Sequence, residues 1–132
     1  MVWRSDKNGI RTFDESRGLE LIYQPVREAM TFKLLKNGRE AAAFDGTSES
    51  RELTDTERCE NPGFDRFMIW HVHSRGGRIE DPKCPGKNIR DEVIVEALSA
   101  FQALYGTAGF LNGKYLHALV EVEFDSPRPK DL

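Results

Sequence analysis

The sequence predicts an α+β domain: a mostly antiparallel sheet of about five strands with one long helix, residues 89–105, packed across one face. Three observations carry this. Ile94, Ala97, Leu98, Phe101, Leu104 and Tyr105 form one apolar stripe at helical spacing. Asn37-Gly38 separates two runs of alternating polarity, a strong hairpin signal because both residues accept the positive φ of a type I′ turn. Phe67-Met68-Ile69-Trp70-His71-Val72-His73 is the most apolar stretch, and its β-branched and aromatic content marks a central strand.

The elements follow in chain order. Residues 1–18 are polar, with turn signals at Asn8-Gly9 and Arg17-Gly18. Leu19, Leu21 and Tyr23 alternate with polar neighbours, so 19–24 reads as a strand that Pro25 ends. Val26, Ala29, Met30, Lys33 and Leu34 also fall at helical spacing, but Asn37-Gly38 favours a hairpin of strands 29–36 and 39–45. Residues 46–64 are mostly polar, and Thr54-Asp55-Thr56-Glu57 matches a capping box that would start a short helical turn over 55–60. The central strand ends at Arg75-Gly76-Gly77-Arg78, and a loop containing Pro82 and Pro85 leads to the long helix. Asn88 suits its start and Gly106 its end. Leu98 on its stripe should cost about 2–5 kcal/mol when cut to Ala, and Gln102 little. After the Asn112-Gly113 turn, Leu116, Ala118, Val120, Val122 and Phe124 alternate with His117, Leu119, Glu121 and Glu123, a strand with one dry face. The tail 125–132, with Pro127 and Pro129, is expected to fray.

The chain has 132 residues, 39% of them hydrophobic, which suits one core and a single domain over 1–132. No window approaches the roughly 18 apolar residues of a membrane span, and the first residues lack a signal-like apolar stretch. A cytoplasmic domain that avoids membranes is the expectation. Cys59 and Cys84 lie in no CxxC pair and are expected as reduced thiols.

The formal charge of −3 hides a local pattern. Residues 41–62 hold six acids and two bases, 63–90 six bases and three acids, and 91–132 seven acids and three bases. A basic segment therefore lies between two acidic ones. Arg75, Arg78, Lys83, Lys87 and Arg90 are the candidate ligand-binding residues, and Gly76, Gly77 and Gly86 leave backbone open to close approach. A nucleotide-hydrolysing P-loop is excluded, since it needs glycine at position 81 and Ser or Thr at 88, where this chain has Asp81 and Asn88.

The function expected is a small non-enzymatic binding or interaction domain. It would recognise an anionic small molecule or a protein surface through the 74–90 loop, without a cofactor. Nucleic acid is a less favoured partner, and a homodimer through an exposed strand edge is a further option. The alternative is a small metal- or His-dependent enzyme. His71 and His73, two apart on a strand, share a face, and His117 with Glu121 would join them if the last strand lies in the same sheet. Such a set has the donor types of a Zn²⁺ or Fe²⁺ site. No metal is the expectation, because the spacing completes no recognised ligand pattern.

Overall fold

The computed structural model describes residues 3–6, 11–26, 29–74, 77–105 and 118–124. Its strands are β1 (Arg4–Ser5), β2 (Arg11–Asp14), β3 (Leu19–Val26), β4 (Ala29–Lys36), β5 (Arg39–Glu52), β6 (Arg66–Ser74), β7 (Glu80–Asp81), β8 (Cys84–Asn88) and β9 (Ala118–Phe124). The helices are α1 (Asp55–Glu60) and α2 (Arg90–Tyr105), with a 3-10 turn at Glu15–Arg17.

The predicted sheet of about five mostly antiparallel strands is corrected on two counts. Seven strands form one mixed sheet in the order β1-β2-β3-β4-β5-β6-β9, and β7 and β8 form a separate ribbon. Strands β1 to β6 pair antiparallel, but β9 joins β6 in parallel, with Met68 opposite Val120 and Trp70 opposite Val122. The reason is topological. The ribbon and α2 carry the chain from the end of β6 back to the end where β6 began, and a strand entered after such a crossover runs parallel to its neighbour. The sheet also curls into a half-barrel. Helix α2 touches β1 at one edge and β9 at the other, so the strands wrap around it instead of lying flat beneath it.

Hydrophobic burial shapes this curl. Leu19, Leu21, Phe32, Leu34, Ala42, Phe44, Trp70 and Val72 from the sheet meet Val93, Ile94, Ala97, Leu98 and Phe101 from α2 in one buried cluster. On β6 the alternation holds: Met68, Trp70, Val72 and Ser74 are buried, while Ile69 and His71 are half-buried and His73 is exposed. The predicted hairpin turn is present, with φ of 52° at Asn37 and 82° at Gly38. The α1 capping box forms too: the Glu57 backbone N–H donates to Thr54 Oγ1 (3.2 Å) and the Thr54 N–H to Glu57 Oε1 (2.9 Å). Gly106, the Asn112-Gly113 turn and the 125–132 tail lie outside the described residues.

One expectation about α2 is reversed. Leu98 is fully buried, but Gln102, expected to tolerate truncation, is only 3% exposed, and its Nε2 has no acceptor among the described residues. A buried donor without a partner costs roughly 1–3 kcal/mol. Methionine has nearly the same shape without the amide. Gln102→Met is therefore expected to leave stability unchanged or raise it by about 1 kcal/mol in urea denaturation. A loss above about 1 kcal/mol would show that the amide is engaged.

Candidate functional site

The basic segment folds as a fastened ribbon. Gly77 at its root has φ 86°, and a Cβ there would stand 2.7 Å from the Ala41 carbonyl oxygen. Only glycine lets the chain pass β5 this closely. The Ile89 N–H donates to the Ile79 carbonyl (2.7 Å), and Asn88 Oδ1 accepts from the N–H groups of Ile79 and Arg90 (3.0 Å each). Glu80 Oε2 accepts from the Gly86 N–H (2.6 Å), and Arg78 Nη2 donates to the Gly86 carbonyl (2.7 Å). The Lys83 N–H reaches Asp81 Oδ1 at 2.9 Å, closing the turn between β7 and β8.

These bonds sort the five candidate cations by what each already does. Arg78 braces the ribbon. Arg90 is paired with Asp91 through Nε (2.9 Å) and Nη2 (2.7 Å) at the start of α2. Arg75 lies outside the described residues, as does Gly76. Lys83 and Lys87 stand exposed, with no carboxylate partner among the described residues. The ribbon therefore presents two exposed ammonium groups.

The histidine face assembles in part. In register, His71 lies opposite Thr47 on β5 and Glu123 on β9, His73 opposite Asp45, and Glu121 opposite Ile69. His71 Nε2 is 3.3 Å from Glu49 Oε1 and its Nδ1 3.4 Å from Glu123 Oε1, so the ring is held between carboxylates of both flanking strands. His117 lies outside the described residues. Among the described residues no group of three or more His, Cys, Asp or Glu side chains is placed to hold a metal ion.

A cleft of about 370 Å³ opens beside the root of the ribbon. The 3-10 turn supplies Glu15, Ser16 and Arg17, the β4–β5 hairpin Lys36 and Asn37, and the ribbon Glu80 and Pro82. Leu19, Ile79, Ile89 and Val93 provide its apolar surface. Sequence reading missed it because its walls come from four separated segments, none with a motif of its own.

Neighbouring charges are organised around this cleft. Burial by itself would raise the Asp14 carboxyl, but hydrogen bonds from Ser16 and Arg17 and the Arg17 charge hold it below its ordinary value. Arg17 bridges Asp14 (2.6 Å) and Glu96 on α2. Glu15 pairs with Arg4 at 2.7 Å. On α1, hydrogen bonding from Arg51 pulls Glu57 down from 4.5 to about 2.

No protein-family model, curated protein or solved structure matches this chain. No helix among the described residues is long and apolar enough to cross a membrane.

Proposed function

We propose that this chain is a non-enzymatic binding domain whose β7–β8 ribbon recognises an anionic ligand or an acidic protein surface. One observation carries the reading. The ribbon is braced by its own Arg78, Glu80 and Asn88, while Lys83 and Lys87 are exposed and have no carboxylate partner among the described residues. A braced element loses little entropy on binding, so two weak charge contacts count for more than they would on a loose loop. The exposed free thiols of Cys59 and Cys84 fit a reducing, cytoplasmic setting.

Lys83→Glu with Lys87→Glu tests the reading, because neither lysine braces the ribbon. The double variant is expected to melt like wild type and to lose at least tenfold in affinity for polyanionic probes such as polyglutamate. Added salt should weaken wild-type binding, with the shallow dependence of a few contacts. A steep log-linear fall on DNA or RNA would instead mark a nucleic-acid partner. Full retention of binding in the folded double variant would sink the proposal.

His71 supports a second reading, a His-dependent enzyme, because carboxylates of both flanking strands fix the position of its ring. Elemental analysis of untagged protein is expected to find no stoichiometric zinc or iron. One equivalent of metal that disappears in His71→Ala would move the enzyme reading ahead.

A further inference from the structure

We infer that the cleft beside the ribbon root is a small-molecule site for an amphipathic carboxylate, anchored by Lys36. This goes beyond the ribbon reading, because neither Lys83 nor Lys87 lines the cleft. Its volume of about 370 Å³ falls within the roughly 300–1,000 Å³ of small-molecule sites, which pair an apolar lining with a few placed polar groups. Leu19, Ile79, Ile89 and Val93 form the apolar part, and Leu19, Ile79 and Val93 are themselves buried, so the surface is rigid.

Charge accounting selects the ligand. Three ionisable side chains besides Lys36 line the cleft, and each is committed within the fold. Glu15 is held by Arg4, Arg17 lies between Asp14 and Glu96, and Glu80 accepts from the Gly86 N–H. Lys36 is the exception. It is half-buried, and among the described residues its Nζ reaches the Arg17 carbonyl oxygen at 3.5 Å and pairs with no carboxylate. A half-buried ammonium with one long contact to a neutral acceptor is incompletely compensated, and a carboxylate would complete it. Asn37, next along the rim, adds an amide donor. Lys36 is thus the one cation of the lining without a carboxylate partner among the described residues, and beside the aliphatic surface it matches one anionic head on a short apolar body.

Titration calorimetry with octanoate, 1-octanol and octylamine tests this, with isoleucine, leucine and valine methyl shifts to locate binding. Octanoate is expected to saturate one site and to shift Leu19, Ile79 and Val93, while the alcohol binds at least tenfold more weakly and the amine not at all. Lys36→Met, with an unchanged circular dichroism spectrum and melting point, should lose at least tenfold in octanoate affinity, and Lys36→Arg should keep most of it. Lys83→Glu with Lys87→Glu should bind octanoate like wild type, so the cleft and the ribbon fail or stand separately. Octanol binding as tightly as octanoate, unchanged affinity in folded Lys36→Met, or shifts confined to other methyls would each overturn the proposal.

Discussion

Phe32→Ala is expected to destabilise the protein by about 3–5 kcal/mol, the largest effect of any single truncation proposed here. Phe32 is fully buried on β4, and its ring lies 5.1 Å from Phe44, 5.4 Å from Tyr23, 5.4 Å from Phe101 and 5.7 Å from Trp70 between centroids. It therefore joins β3, β4, β5, β6 and α2 at one point. Removing it forfeits the transfer energy of the ring, leaves a cavity, and breaks four aromatic contacts that each add roughly 0.5–1.5 kcal/mol beyond area. Those contributions overlap, so the total stays within the range given. Urea denaturation of Phe32→Ala beside Phe64→Ala, a residue 36% exposed, provides the comparison. Phe64→Ala is expected to change stability by less than about 0.5 kcal/mol. Equal losses would mean that the aromatic cluster is not the keystone of the curl.

What the sequence revealed follows the periodicity of its apolar residues. Strands β3, β4 and β6 and helix α2 were legible because their buried positions carry Leu, Phe, Trp, Val and Ile at periods of two or 3.6. Strand β2 was not, since its two buried positions are Thr12 and Asp14, which leave no hydrophobic alternation to read. The second half of β5, Thr47–Glu52, is also polar throughout. It is a strand because Thr47 to Glu52 pair residue by residue with His71 to Arg66 on β6, a long-range cause absent from local sequence. Pro82 and Pro85 give the ribbon the sequence of a loop, yet Glu80 pairs with Asn88 and Asp81 with Cys84. Parallel pairing of β9 has no local signature either; it follows only from the position of α2 between two neighbouring strands.

The candidate site was legible to a similar depth. Charge segregation located the basic segment, and alternation placed His71, His73 and Glu121 on one face, as the register shows. Which cations were already committed was invisible, because Arg78 is engaged by a backbone carbonyl eight residues on and Arg90 by its immediate neighbour. The cleft depends on the 3-10 turn, the hairpin end and the ribbon meeting in space, so no window of sequence contains it.

Asp14→Ala is expected to cost about 3–5 kcal/mol and to change the acid sensitivity of the fold. The Asp14 side chain is fully buried, accepts from Arg17 Nε at 2.6 Å, and takes two bonds from Ser16, the N–H at 3.1 Å and Oγ at 2.6 Å. Arg17 continues to Glu96 on α2, where Trp3 Nε1 also donates at 3.3 Å, so the network ties the β1–β2 edge to the helix. Alanine removes the N-cap of the 3-10 turn, worth about 1 kcal/mol, and leaves Arg17 partly desolvated with one carboxylate in place of two. The loss should fall at the lower end of the range because Glu96 still faces Arg17. Asp14→Asn retains an acceptor and should cost less. The pH dependence has a definite sign. Burial opposes ionisation of Asp14, but its hydrogen bonds and Arg17 depress its folded pKa below the ordinary 3.8. Its contribution is therefore complete above about pH 4–5 and lost as pH falls through the folded value. Glu57, lowered from 4.5 to about 2 chiefly by the Arg51 hydrogen bond, acts in the same direction. Urea midpoints for the wild type should hold steady near neutrality and drop between pH 4.5 and 2. Asp14→Ala should start lower at pH 7 and fall less over that interval. If the two proteins lose stability in parallel on acidification, the Asp14 pKa is the same in the folded and unfolded chains, and Arg17 and Ser16 do not stabilise its charge.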